Sequence, residues 1–579
     1  MIWKICFILS QLSVFTAILL FLRQYKWKRA KFSSSVRILI VGFAIGLFAL
    51  ILPIQIDAFG SDFASVVKAV LVSLNRTLRG FVLTDINFMN GTQSIEPDFY
   101  GIYSVTMTLL CFFCPFLTLS YILSFFAKIR ASVRTAFSHR KKLFVFSELN
   151  ESSLALAQDL SAQHKDRRII FCGVDNSFKG SSLVHSADKL GAICMSRGIR
   201  ALALNAHSKK KDIYFFTISA DEQQNTSDAL ALLEQYRSRD LTRIYLFSAL
   251  PESELILTGT DPGRVKLRRI DTKRCLIDRY LYDEGEILFR GAVGEKGNRQ
   301  IRVLIAGLGN CGEEMLRALC WYCQMDGYQL TIDAFDLSPD AAEHLRLKCP
   351  DLLNPQYNGV HIPGEAAYTI RIHPGIDICS AVFYDELNAL DPPTFVFVAL
   401  GDDSADIAVS AELRMRLARR GVHPTICTVV KNSEKKRMVS TIESIRGQQY
   451  DILPIGDLHD TYSEKEILHS ELESEALRLH LQWGDEASFW RYEYNYSSSI
   501  SRAIHLKLRR SLSVHDPYFP DGSAQITEHR RWNAYMRSMG YIYSGSPDPA
   551  SRDDLAKLHQ NLVPYDQLSE SDRAKDSST

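Results

Sequence analysis

Net charge is almost absent from this chain: 67 Lys and Arg stand against 66 Asp and Glu, a balance of +1 over 579 residues. That removes any global attraction to nucleic acid, so none is expected as a partner and any basic surface must be local. Cysteine is scarce as well. Twelve residues at irregular spacing exclude a disulfide scaffold and read as free thiols. Cys320-Trp-Tyr-Cys323, with Cys311 nearby, lacks the second ligand pair that a zinc site would need, so no metal site is assigned. No Walker pattern, Ser-His-Asp set or carboxylate pair falls on a recognisable catalytic scaffold, and no catalytic residue is named. A Thr-Val-Gly-Tyr-Gly type filter is also missing, which leaves ion selectivity unread.

What the chain does have is an apolar beginning. Ile5 to Leu22 is uncharged over 18 residues, Ile38 to Ile56 over 19 and Tyr100 to Ala127 over 28, each close to or above the roughly 20 residues that cross a bilayer. Arg23, Lys26, Lys28, Arg29, Lys31 and Arg37 follow the first run, and Lys128, Arg130, Arg134, Arg140, Lys141 and Lys142 follow the third, with no acid in either stretch. By the positive-inside rule both flanks are cytoplasmic. The expectation is three spans of a plasma (inner) membrane, with the amino terminus outside and everything after about residue 128 in the cytosol. Between the second and third spans, residues 63–83 read as an amphipathic helix. Phe63, Val67, Val70, Leu71, Leu74, Leu78 and Phe81 share one face, and Lys68, Arg76 and Arg79 lie opposite. Two placements fit this pattern, a pore or vestibule helix dipping into the membrane and a helix lying flat on its surface.

From Ile301 the chain runs through an apolar strand into Gly307-x-Gly309-x-x-Gly312 and a helix start, and a second strand ends in Asp336, 24 residues after Gly312. This spacing is that of a dinucleotide site. Gly307 permits the tight turn, Gly309 admits the pyrophosphate, Gly312 lets helix and strand pack, and Asp336 faces ribose hydroxyls. Thr394 to Leu400 is a further strand leading into Gly401-Asp402-Asp403, at the end of the sheet where such folds place ligands. An earlier unit repeats the plan with Ser147, Leu149 and Ser152 in place of glycines and Asp175 as its acid. Side chains there impair close phosphate approach, so this copy is expected to be structural.

Two such units behind a short membrane domain resemble the cytosolic halves of ligand-gated channels and potassium-transport regulators, the TrkA-N or RCK family. The resemblance covers about residues 141 to 455. It rests on Gly307-Leu308-Gly309-Asn310-Cys311-Gly312, Asp336 and Val398-Ala399-Leu400-Gly401-Asp402-Asp403. It implies a regulatory ring that binds nucleotide or ions, with Gly307, Gly309, Asn310, Gly312, Asp336, Gly401 and Asp402 holding NAD or another adenine nucleotide that is bound and not turned over.

After about residue 470 the chain becomes aromatic and mixed in charge. Ala476 to His480, Trp490, Ser498 to Ala503, Glu528 to Met536, Gly540 to Tyr543 and Lys557 to Leu568 follow in an order that resembles the RyR domain, the repeat of ryanodine receptors. That resemblance implies a small helical module sensing a nucleotide-derived ligand. His529, Arg531, Trp532, Tyr541 and Tyr543 offer it cation, donor and stacking surface; the alternative for Trp532 and Tyr541 is packing in the module's own small core.

The expected architecture is therefore multidomain: a transmembrane domain at 1–140, a degenerate Rossmann-like α/β domain at 141–295, a dinucleotide-binding one at 296–455, and an α-helical RyR-type domain at 456–579, free to move against the rest. The expected function is a homo-oligomeric channel, dimer or tetramer, in the lipid bilayer, gated by a small nucleotide ligand in signalling or defence. A membrane-tethered NAD-dependent oxidoreductase and a regulatory subunit of a separate cation transporter are the alternatives.

Overall fold

The computed structural model describes residues 2–26, 32–82, 95, 97–125, 142–174, 181–202, 211–357, 360–361, 367–446, 451–468, 471–515 and 523–576. Asp175 and most of the basic residues flanking the first and third spans lie outside them. The chain divides into two compact units, Met1–His139 and Arg140–Thr579.

The first unit is helical: α1 (Ile2–Lys26), α2 (Phe32–Phe59), α3 (Phe63–Gly80) and α4 (Pro97–Phe125). Three of these, α1, α2 and α4, are long and apolar enough to cross a membrane. They outrun the expected spans because uncharged runs mark only the hydrocarbon-length part of a helix. Their contacts suit a medium without water. Ser13 donates its hydroxyl to the Gly42 carbonyl at 2.9 Å where α1 and α2 approach, and Tyr103 on α4 donates to the Leu50 carbonyl on α2. In α3 the face that packs is not the apolar stripe. Ala69, Ser73, Thr77 and Gly80 are buried, whereas Phe63 is 87% and Leu78 63% exposed.

The second unit holds two six-stranded parallel sheets. One is built from β1 (Lys142–Phe146), β2 (Arg167–Phe171), β3 (Ile193–Cys194), β4 (Asp212–Thr217), β5 (Thr242–Phe247) and β6 (Lys266–Ile270), in the order β3-β2-β1-β4-β5-β6. The other comprises β7 (Arg299–Ala306), β8 (Tyr328–Asp336), β11 (Tyr368–Pro374), β12 (Phe395–Val398), β13 (Thr425–Val429) and β14 (Ile452–Ile455), with a small hairpin, β9 (Gln356–Tyr357) and β10 (Val360–His361), between β8 and β11. Its order, β11-β8-β7-β12-β13-β14, is the same. In each the chain direction across the sheet reverses beside the first strand, the doubly wound Rossmann-like arrangement. Runs such as Phe144-Val145-Phe146 and Phe395-Val396-Phe397-Val398 form the central strands because helices cover both faces, so no alternation is needed.

Beyond β14 come α10 (Glu471–His480), α11 (Glu493–His515) and α12 (Ser523–Ser538), preceded in the sheets by α5 (Glu151–Gln163), α6 (Glu222–Tyr236), α7 (Thr272–Glu284), α8 (Asn310–Tyr322) and α9 (Asp403–Arg419). This region is not wholly helical, for Ile542–Tyr543 and Leu558–His559 pair as two short parallel strands. Nor is it a body separate from the sheets, as the sequence led us to expect. Leu479, Ile504, Leu508, Tyr535 and Leu562 share one buried core with Leu316 and Trp321 of α8, with Ile332 of the second sheet and with Ile277 of α7. Polar contacts seal the joint: Thr527 donates to Asp326 at 2.7 Å, Arg317 to the Ser538 carbonyl at 3.2 Å, and His505 meets the Gln324 carbonyl at 2.9 Å. Apolar side chains on α11 and α12 that read as a small domain's own core cover α8 instead.

Candidate functional site

Two places in the second unit carry the candidate residues. The first is the glycine turn between β7 and α8. Gly307 has φ +93°, which other residues rarely adopt, and a Cβ there would stand 2.6 Å from the Ala399 carbonyl oxygen. A Cβ on Gly312 would fall 1.9 Å from the Gly307 oxygen, so both glycines are required by close backbone approach. Around Gly309, by contrast, a Cβ would meet nothing within 4 Å. The turn is thus open on the side where a pyrophosphate would lie. Gly309 is the N-cap of α8 and supplies no side chain to it; Asn310, exposed, is the first helical residue. Helix-start amides left uncapped, at the positive end of the helix dipole, suit phosphate.

The two sheets differ here in one decisive respect. In the first, Asn150 accepts the Ser153 amide at 2.8 Å while the Ser153 hydroxyl accepts the Asn150 amide at 2.9 Å, a closed capping box at the start of α5. Its own side chains occupy the groups that a phosphate would need. A cavity of about 470 Å³ nonetheless lies at the carboxyl ends of β1, β4, β5 and β6, between Asn150, Ser219, Glu222, Ser248 and Lys273.

Asp336 braces the glycine turn. Its carboxylate accepts the Leu308 amide at 2.6 Å and the Ser338 amide at 2.8 Å. Carboxylate oxygens have about four lone-pair sites between them, which leaves room for a ribose diol. Across the cleft, Gly401 has φ +94° and Asp402 caps α9 by accepting the Ser404 and Ala405 amides at 3.0 and 2.9 Å, bonds that hold its carboxyl below the usual range. Asp402 is therefore a helix cap rather than a group aimed at the glycine turn. Next to it, burial pushes the Asp406 carboxyl up to about 6 although it accepts the Leu400 amide at 2.6 Å. Burial raises the Cys311 thiol beside the turn, and the charges of Lys273 and Lys431, which sequence reasoning missed, oppose that rise. Lys273 comes from α7 of the first sheet's unit, a neighbour that no spacing rule reveals. The open turn fits a phosphate, and Asp336 beside it fits a diol.

The second place is a cavity of about 230 Å³ among α11, α12 and the carboxyl-terminal segment. Arg502, Arg531 and Arg552 line it together with Glu528 and Asp572, and Trp483, Tyr494 and Trp532 add aromatic faces. Three guanidinium groups thus face two carboxylates. His529, Arg531 and Trp532, expected from the sequence, all contribute; Tyr541 and Tyr543 do not. Tyr541 is buried in the shared core and donates to Asp554 at 3.3 Å, and Tyr543 sits in the short strand pair, so their hydrophobic bodies serve packing.

Arg531 is 1% exposed. It donates to both Glu528 oxygens, at 3.0 and 2.9 Å, and to the Ser501 hydroxyl at 2.9 Å. Burial pushes Glu528 up, but Arg531 and Arg502 hold it below the usual range. His529 meets the Val563 carbonyl at 2.8 Å, and the Trp532 ring lies edge-on to His559 at 4.9 Å. Arg552 is freer: it pairs with Asp554 at 3.0 Å and lies 4.8 Å from the Tyr494 ring, making a cationic and aromatic wall with its side chain 33% exposed. Arg502, Tyr494 and Arg552 are lining residues missed in the sequence. Arg552 lies outside the repeated blocks, where nothing but the fold brings it to α11.

No protein family matches this chain, and no curated protein is similar to it.

Proposed function

We propose that this chain is a membrane effector, a homo-oligomeric channel opened by a nucleotide-type ligand in the 230 Å³ cavity of its carboxyl-terminal region. The observation that carries the proposal is that cavity's lining: Arg502 and Arg552 for phosphate, with Arg531 held by Glu528, beside aromatic faces for a base, in a region built onto the core of a Rossmann-like sheet. The three long apolar helices supply the membrane half. The resemblance to TrkA-N or RCK units and to the RyR domain supports the same division.

Two sites imply two roles. The glycine turn, with Gly307, Gly309, Asn310, Gly312 and Asp336, would hold NAD or another adenine nucleotide as a resident; bound, that nucleotide supplies charge and rigidity, not turnover. Lys273 would place a second charge on its phosphates and so tie the first sheet's unit to the second. A ligand filling its site in every state cannot gate, so the switch falls to the other cavity, whose occupant must favour one conformation.

The test is flux from proteoliposomes carrying the full chain, with ADP-ribose and 3′,5′-cyclic AMP added to the side that the large unit faces. Release that depends on one of these supports the proposal. Turnover of NAD without flux would instead make the chain an oxidoreductase.

A further inference from the structure

The helix α3 has three faces of different chemistry. Ala69, Ser73, Thr77 and Gly80 are buried and recur every three or four residues to the end of the helix, the spacing by which small residues let membrane helices approach closely. Within this unit α3 meets α2 far more extensively than α4. A second face, from Phe63 through Val67, Leu71 and Leu74 to Leu78, is bare apolar surface. The third carries Lys68, Arg76 and Arg79, and Phe63–Gly80 contains no acid at all.

Those three faces decide between the two placements that the sequence allowed. A helix lying flat on the bilayer crosses α2 at a steep angle and can meet it only near one point. A small-residue ridge buried as far as Gly80 requires α3 to run back along α2 instead. Only Gly60, Ser61 and Asp62 join the two helices, and Lys68 lies 4.5 Å from the Phe59 ring at the start of that return. Running back along a spanning helix carries Arg76 and Arg79 to the depth of the hydrocarbon, where a cation must face water or a partner charge. No acid in α3 offers one.

Resting on the channel proposal above, we infer that α3 is a re-entrant pore helix: acyl chains cover the Phe63–Leu78 stripe, and Lys68, Arg76 and Arg79 from several copies face one water path that passes anions in preference to cations. The short hairpin sets the register of this arrangement, and the small-residue ridge fixes its distance from α2.

Two measurements on the full chain test it, one of which needs no current. With Cys379 replaced by Ser, nitroxides are placed at Phe63→Cys or Leu78→Cys in lipid vesicles and their depth is read by collisional relaxation. The two positions share the apolar face and are 15 residues apart, about 22 Å along a helix axis. The expected result is a large depth difference between them; equal depth would lay the helix flat and overturn the inference. The second measurement is the reversal potential in planar bilayers under a KCl gradient with ADP-ribose added. It should lie toward the chloride equilibrium, and Arg76→Glu with Arg79→Glu should move it toward that of potassium. A wild-type current reversing at the potassium potential overturns the inference while leaving the channel proposal standing. A depth difference with no current under either nucleotide sinks the channel proposal and the anion path with it.

Discussion

Arg269, on the last strand of the first sheet, and Glu493, at the first turn of α11, form a buried forked pair in which the guanidinium Nε reaches both carboxylate oxygens at 2.7 and 2.8 Å. The next two residues, Tyr494 and Asn495, line the ligand cavity. A displacement of α11 by a ligand is therefore felt directly at the first sheet, the part of the large unit nearest in sequence to α4. Arg269 is 3% exposed at its side chain, with Glu254 3.5 Å away as a lesser partner. Glu493→Ala should cost about 3 kcal/mol, because it strands a buried cation. Chemical denaturation of the large unit's fluorescence reads this, and a loss below about 1 kcal/mol would show the pair to be slack.

Removing Glu528 should hurt more than removing Arg552. Glu528→Ala leaves Arg531 buried without its fork, a loss of about 3–5 kcal/mol. Arg531→Ala leaves Glu528 in the same position, so neither variant separates binding from folding. Arg552→Ala removes a half-open wall and should shift stability by no more than about 0.5 kcal/mol. Thermal melts of the three variants check the order.

The glycines of the turn should part company under substitution. Gly312→Ala drives a methyl onto the Gly307 oxygen and should destabilise the fold by about 3 kcal/mol. Gly309→Ala meets no atom of the protein and should fold, yet lose most of the co-purifying nucleotide, since its methyl occupies the phosphate's approach, and with it only the stability that the bound nucleotide adds. Nucleotide released on heat denaturation, measured by absorbance after chromatography, distinguishes the two.

Acid should unfold the joint between α11 and the second sheet early. Burial drives the His505 imidazole down to about 3, where it meets the Gln324 carbonyl without room for hydration. An unfolded histidine takes its proton near pH 6.5, so the stability held by neutral His505 is complete above that value and is lost as pH falls toward 3. His505→Gln should flatten the pH dependence of stability across this window; an unchanged slope would assign the loss to other groups.

The parts legible in the sequence were those whose constraint is local. Gly312 follows from its approach to the Gly307 carbonyl five residues earlier and Gly307 from its own positive φ, and the uninterrupted apolar strands follow from burial on both faces. The glycine-free turn of the first sheet also read correctly as altered, though its replacement by an Asn150–Ser153 capping box is visible only in the bonds. Lys273 was hidden because its charge acts on Cys311 from α7, a helix of the first sheet's unit. Arg531 looked like a ligand group because a cation on a mixed-charge helix usually faces water. Glu528, three residues earlier on the same helix, was the available signal of its inward pairing. In α3 the large apolar side chains drew attention from Ala69, Ser73, Thr77 and Gly80, whose spacing marks the face that packs.

The most direct test of the gating account is paired recording and binding on wild-type chain and Arg552→Ala, with ADP-ribose and 3′,5′-cyclic AMP as titrants. The account predicts that the nucleotide which binds wild type also opens it, and that Arg552→Ala, melting as wild type does and keeping its resident nucleotide, loses at least ten-fold in affinity and needs at least ten-fold more nucleotide for current, a change of about 1.4 kcal/mol or more. An Arg552→Ala chain that binds and opens at the wild-type concentration would contradict it.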